Sequence, residues 1–231
     1  MIVANEHDKY WCYCQRCKEG AVLLKEHVRF NEGASPEATR SDLTMPQDMR
    51  PVLGDEALER AIGSFLASKH MDFWYMNVGD LFYSASRKRL IVRTAKGSYF
   101  GRDITGAAMQ KWITYNNEDF VGAKKTATFR AYVVEDLFSY YKVLKSLSDE
   151  HVSVYCSLGT GMSRSLMLEL LPYQSVTFFY DGDAAGYTGS QKNCVRLQVF
   201  GPKTKAACAP AGKDPKDMTI SEIRDHYARN L

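Results

Sequence analysis

Hydrophobic positions along the chain follow two regimes. From about Phe129 onward, short apolar runs rich in β-branched and aromatic residues alternate with stretches whose apolar residues recur at helical spacing. RAYVVE (130–135), HVSVYCSL (151–158) and SVTFFYD (175–181) read as strands, and 136–147, 163–171 and 184–199 read as the helices that follow them. A short strand KAACAP (205–210) and a closing helix from Ser221 complete the series. Strands alternating with helical crossovers build a parallel sheet with helices on its faces, so this part is expected to be α/β. Upstream, DEALERAIGSFLA from Asp55 has an acidic first turn and helical apolar spacing. LFYSASRKRLIVRTAKGSYFGRD then alternates like strands joined by a Lys96-Gly97 turn, which makes this stretch a small α+β segment.

Composition adds boundaries. The first 30 residues are cysteine-rich, and 31–54 concentrate Gly, Pro, Ser and charge and read as a linker. The expected order is therefore 1–30, a linker at 31–54, an α+β subdomain at 55–128 and an α/β domain at 129–231. With 231 residues, 45% of them hydrophobic, the chain can bury one large core or two small ones. No apolar run reaches the length of a membrane span, and the amino terminus lacks the basic flank and apolar centre of a signal peptide, so a cytoplasmic protein is expected. A net charge of +3 is too mild to establish nucleic-acid binding by itself. Cys12, Cys14 and Cys17 lie close together, which fits metal binding in a reducing compartment better than a disulfide scaffold. Cys156, Cys194 and Cys208 fall on strand or helix positions and read as core. The histidines His27, His70, His151 and His226 show no metal or triad spacing.

The chemistry concentrates at strand ends. In SVTFFYDGDAAGYTGSQK, Asp181 and Asp183 follow a buried strand and precede a helix that Gly186 and Gly189 weaken early. Ligands of α/β sheets bind at the carboxyl ends of the strands, and two carboxylates gathered there repel unless a cation or raised pKa values relieve them. Hard divalent ions such as magnesium suit that position. The alternative is a polar turn capping the next helix. Glu135 ends the first strand of the unit as Asp181 ends the third, so both should project from one edge of the sheet.

A strand-end glutamate, a strand-end Asp-x-Asp, LGT after the middle strand and KDPKD after the fourth together resemble the Toprim domain, which bacterial and phage primases, topoisomerases and some nucleases share. VVEDLFSYYKV, SLGTGMS, YDGDAAG and GKDPKD look most like the primase half of phage primase-helicases, over roughly 129–231. The resemblance implies a Toprim-like parallel sheet with Glu135, Asp181 and Asp183 as catalytic, metal-binding acids and Asp214 as a further metal acid. Glu135 as a general base beside a single metal is the other role it leaves open. Asp136 stands where many Toprim sequences have glycine and reads as a helix-start acid.

RLIVRTAKGSYFGRDITGAAMQKWITY is similar to the strand-rich subdomain that precedes Toprim in primases. That similarity puts Arg89, Arg102 and Lys111 on positions lining a template and nucleotide groove, with Trp112 or Tyr115 placed to stack a base. A solvated basic face with aromatics in the core is the other reading. YWCYCQRCKEG resembles the second half of a primase zinc ribbon, which makes Cys14 and Cys17 the best zinc pair. Four ligands are needed, so His7 and Cys12 complete an irregular site, or ligands come from elsewhere, or no zinc is bound.

The resemblance implies an RNA primase acting on single-stranded DNA by metal-dependent nucleotidyl transfer, with Mg2+ or Mn2+, possible Zn2+ and ribonucleoside triphosphates. Without a G-x-x-x-x-G-K-[ST] phosphate loop in the chain, unwinding is expected from a separate replicative helicase. Its expected place is the cytoplasm, that of the host if the chain is phage-encoded. A Toprim nuclease and a non-catalytic single-strand-binding protein are the alternatives.

Overall fold

A three-stranded antiparallel meander opens the chain: β1 (Ile2–Asn5), β2 (Lys9–Tyr13) and β3 (Gly20–Leu24), with Val3 opposite Cys12 and Cys12 opposite Ala21. This computed structural model describes residues 44–116 and 118–230, and of the first 43 residues the backbone of those strands. Cys14 and Cys17 lie outside the described residues, as does His7. Met1–Thr44 forms one unit and Met45–Leu231 a second.

The second unit begins with an antiparallel sheet inside the segment whose composition marks it as linker. Strand β4 (Arg50–Pro51) pairs with β5 (Leu81–Ser84), Val52 is fully buried, and Asp48 accepts hydrogen bonds from the Ser84 hydroxyl and the Ser86 amide at 2.7 Å each. Gly, Pro and charge there serve a two-residue edge strand, too short to show any alternation. Helix α1 (Glu56–Ala67) starts at Asp55, whose carboxylate accepts from the Leu58 amide at 3.0 Å, and buries Leu58, Ile62 and Leu66 four residues apart. Strands β6 (Arg89–Arg93), β7 (Tyr99–Asp103) and β8 (Trp112–Thr114) complete the order β4-β5-β6-β7-β8. The β6–β7 hairpin turns at Lys96-Gly97 as its sequence indicates, with Gly97 at φ +84°.

An α/β sheet follows with strand order β13-β12-β10-β11-β9: β9 (Val121–Ala123), β10 (Arg130–Val134), β11 (Ser153–Cys156), β12 (Ser175–Phe178) and β13 (Lys203–Ala206). The last four run parallel, while β9 pairs antiparallel with β11. Three residues carry no periodicity, so β9 is not visible in the hydrophobic pattern, and the sheet starts ahead of 129. Strand β13 begins two residues before the expected KAACAP, because pairing Ser175 with Lys203 sets the register and turns Lys203 and Lys205 outward along an exposed edge.

Both faces of β10 are apolar, which is why RAYVV reads as a continuous run. Tyr132 and Val134 pack with α2 (Leu137–Ser146) and α5 (Ile220–Arg229), burying Val143, Ile223 and Tyr227. Ala131 and Val133 pack with α3 (Arg164–Leu170) and α4 (Ala184–Gln198), burying Leu166, Leu170 and Leu197. Among the described residues no helix is long and apolar enough to cross a membrane.

Aromatic packing ties the two sheets together. Phe138, on α2, is fully buried in the core of the antiparallel sheet with Leu58, Leu66 and Leu90, and its ring meets Trp112 edge-on at 5.0 Å and Phe65 at 6.3 Å. Phe138→Ala should therefore cost about 3–5 kcal/mol. Chemical denaturation measures it, and a loss near that of an exposed residue would show that the sheets do not depend on this contact.

Candidate active site

Connections from β10 run to β11 on one side, while the chain reaches β13 from β12 on the other. The order therefore reverses between β10 and β12, and ligands of open α/β sheets bind at the carboxyl ends flanking such a point. Glu135 follows β10 and Asp181 follows the extended continuation of β12, where the Phe179 amide still donates to the Val133 carbonyl at 2.8 Å. The two adjacent strand ends thus carry the two acids.

Backbone packing sets the loop after β12. Gly182 donates to the Lys213 carbonyl at 2.8 Å and accepts from the Gly212 amide at 2.9 Å, and a Cβ on it would stand 2.1 Å from the Pro210 carbonyl oxygen. Only glycine fits between Asp181 and Asp183. Gly186 is equally confined, its would-be Cβ lying 2.3 Å from the Asp181 carbonyl oxygen. A buried polar chain braces the strand ends: Asn193 donates to the Tyr180 hydroxyl at 3.0 Å, and Tyr180 donates to Ser157 at 2.9 Å. Ser157 Oγ in turn lies 2.6 Å from the Gly159 carbonyl and 3.1 Å from that of Val134. Leu158, at φ +56°, takes the left-handed turn this loop requires.

The acids divide by role. Asp183 caps α4, its Oδ1 accepting from the Gly186 amide at 2.7 Å, so the capping alternative holds for one of its oxygens. Asp136 caps α2 by accepting from the Ser139 amide at 2.8 Å, in keeping with a helix-start acid. Asp214 precedes a short 3-10 turn (Pro215–Asp217) and pairs with the Lys216 ammonium, which also lies 3.7 Å from Asp136. Asp181 caps nothing, and its buried Oδ1 has no hydrogen-bond partner among the described residues.

Burial, helped by the charges of Asp136, Glu135 and Asp183, pushes the Asp181 carboxyl up to about 7, with Lys216 opposing. Burial and then Asp136 and Asp183 raise that of Glu135. An orphaned carboxylate oxygen among mutually repelling acids fits a hard divalent cation. As the side chains stand, no three of His, Cys, Asp and Glu among the described residues form a closed metal cluster.

A cleft of about 220 Å³ joins this edge to the antiparallel sheet, with Phe100, Trp112 and Thr114 on one wall and Glu135, Asp136, Leu158 and Gly159 on the other. Trp112 thus shares a cavity with Glu135, which sequence alone could not place beside it. Arg102 is 9% exposed, with its guanidinium 5.3 Å from the Trp112 ring and 5.6 Å from that of Phe138 and its Nε without a partner among the described residues. Burial pushes its pKa down, opposed by Asp136 and Asp103. Lys111, beside Trp112, is exposed. Arg89 is engaged otherwise: its guanidinium donates to the carbonyls of Gly101 (3.2 Å), Gln110 (3.0 Å) and Lys111 (3.4 Å), which clamps the β7–β8 loop. Lys216 is the site residue that sequence reasoning passed over, although it lies within the same KDPKD that singled out Asp214. A larger, open hollow at the opposite edge of the sheet, lined by Phe129, Arg130, His151 and Lys203, has no carboxylate on its wall.

No protein-family model matches the sequence, and no curated protein matches it. Solved structures match in shape. The RNA polymerase domain of Mycobacterium tuberculosis primase DnaG, in complex with double-stranded DNA, has 16% identity and a TM-score of 0.55 over 78% of this chain and 75% of its own. The fold is that of a primase RNA polymerase domain. The zinc-binding and RNA polymerase domains of Aquifex aeolicus primase match at 18% identity and TM-score 0.49 over 78% of this chain, which spans only 50% of that one. The primase fragment of the bacteriophage T7 primase-helicase protein matches at 12% identity and TM-score 0.49, over 96% of this chain and 89% of that one.

The raised Asp181 pKa has a signed consequence. Between its ordinary 3.8 and about 7, the folded protein keeps a proton that the unfolded chain has released, so metal-free stability falls as pH rises through that window and levels off above it. Asp181→Asn should remove this part of the slope. At pH 8 in EDTA the variant should exceed the wild type by roughly 2 kcal/mol, since each pKa unit corresponds to about 1.4 kcal/mol and neighbouring acids share the effect, and near pH 4 the two should coincide. Urea melts at the two pH values measure this, and parallel profiles would overturn the raised pKa.

Proposed function

We propose that this chain is a primase, joining ribonucleotides into short RNA primers on single-stranded DNA by metal-dependent nucleotidyl transfer in a Toprim-type site. The observation that carries this is the shared cleft: Glu135, at the sheet's reversal point, and Asp136 open onto an aromatic wall of the preceding sheet, where Arg102 lies against the Trp112 ring. A Toprim hydrolase needs the first wall, whereas template-directed synthesis needs a surface that also holds a base and a phosphate chain. The fold likeness to a primase RNA polymerase domain supports the reading.

Glu135, Asp181 and Asp183 would hold the divalent cation, Mg2+ or Mn2+. Bound there, it supplies positive charge to phosphate oxygens and lowers the pKa of an attacking 3′ hydroxyl. The protein's own part is placement. Trp112 presents an aromatic face in the cleft for a base, and Arg102, stacked on that ring, adds a fixed positive charge beside it. Lys111 offers a mobile ammonium to the phosphates of template or nucleotide. Arg89 works through the backbone it clamps and keeps the loop before Lys111 in shape. Cys14 and Cys17 are proposed to hold zinc in the amino-terminal unit, and a separate helicase to supply the single strand.

Labelled ribonucleotides on a mixed-sequence single-stranded template with Mg2+ test the function. Wild-type protein should extend dinucleotides into short RNA, and Asp181→Asn or Asp183→Asn should lose about 10²-fold or more of that activity, as removal of transition-state charge stabilisation does elsewhere, while melting cooperatively. Template shortening without ribonucleotide incorporation would replace the primase by a nuclease. Near-normal synthesis by both variants would remove the acids from the mechanism.

Lys111→Ala separates binding from chemistry. Each phosphate contact adds a salt-sensitive, sequence-independent term, so the variant's affinity for single-stranded DNA should fall and its log–log salt slope flatten by roughly 0.7. Fluorescence anisotropy across a salt series measures it. An unchanged slope together with unchanged ribonucleotide affinity would return Lys111 to the solvated surface.

A further inference from the structure

The acid-lined edge contains a fixed positive charge of its own. Lys216 is 8% exposed, an unusual degree of burial for a lysine, and its ammonium lies 3.7 Å from the Asp136 carboxylate and closer still to that of Asp214. The turn that carries it is pinned. Its main-chain carbonyl accepts from the Lys142 ammonium at 2.5 Å, and the same ammonium donates to the His70 carbonyl at 2.8 Å. Asp214 and Asp217 close a reciprocal capping box over the turn, the Asp214 amide donating to Asp217 at 2.9 Å. A lysine held this way behaves less like a surface side chain than like a bound cation.

Its two carboxylates are those on which a second metal ion would have to draw. An ion seated on Asp136 or Asp214 would meet the ammonium at close range, or would have to expel a nearly buried charge from both partners. Resting on the polymerase reading above, we propose that Lys216 is the built-in counter-cation of the Asp136 and Asp214 side of the acid edge. Glu135, Asp181 and Asp183 then take one divalent cation, and Asp214 is a partner of the lysine rather than a metal ligand.

Mn2+ titrations of the full chain test this, with free ion followed by electron paramagnetic resonance and total binding by calorimetry. Wild-type protein should bind one ion competed by Mg2+. Lys216→Gln, which leaves Asp136 and Asp214 without their cation, should bind two, and Lys216→Arg should return to one. Asp214→Asn should keep a single ion with its dissociation constant changed less than about threefold, whereas Asp181→Asn should weaken it at least about tenfold. Two ions on the wild type, one ion on Lys216→Gln, or a tenfold loss in Asp214→Asn would each overturn the proposal. Should Lys216→Gln not fold, the Asp214→Asn titration decides alone. Failure of the polymerase reading shows separately, as absence of RNA synthesis by a protein that still binds its single ion at Asp181.

Discussion

Strand β10 is paired in parallel on both sides, with β11 and with β12, and the acid edge of the second unit hangs on that double pairing. A strand flanked this way must be apolar on both faces, and Ala131, Tyr132, Val133 and Val134 are. The chain must also leave β10 toward one neighbour and later return on the other side, which leaves a gap at the carboxyl ends that no crossover covers. Glu135 and Asp181 stand at that gap because they are the first polar residues after their apolar runs. Their burial is thus a result of sheet topology, and so is the repulsion that raises both of their pKa values.

The second sheet enters through α2. Its first turn does two jobs on neighbouring residues: Asp136 caps the helix at the acid edge, and Phe138 reaches into the antiparallel core against Trp112. An aromatic anchor two residues from a site acid leaves little freedom between the walls, so Trp112 is presented to Glu135 by packing rather than by a loop. Arg102 belongs to the same block, resting against both rings. A buried guanidinium costs desolvation, and the negative field of Asp136 and Asp103 keeps it there.

Much of this was legible in the sequence, for physical reasons that also mark where legibility stopped. The strands RAYVVE, HVSVYCSL and SVTFFYD, the helix after each and the acids that end the first and third follow from runs and periods long enough to be unambiguous. Strand β9 and strand β4, of three and two residues, are held by pairing partners distant in the chain and leave no pattern of their own. Arg89 carries the same basic signature as Lys111, yet its donors go to three carbonyls, a distinction that only the β7–β8 loop geometry draws. Lys216 was hidden for the opposite reason: in KDPKD the aspartate attracted the chemical argument, while the charge that balances it sits two residues on.

Capping and the proposed metal binding draw on one set of carboxylates, and the division among them accounts for the edge's electrostatics. Asp136, Asp183 and Asp214 each stand at the start of a helical turn, where backbone amides offset negative charge. Glu135 and Asp181 stand at no such place, and these two are the acids whose protonation burial and neighbouring charge favour. A cation arriving at the edge would therefore gain most from the acids that the fold leaves uncompensated. The capped acids and Lys216 form the frame around them, so that the local backbone prepares the site's charge before any ligand is present.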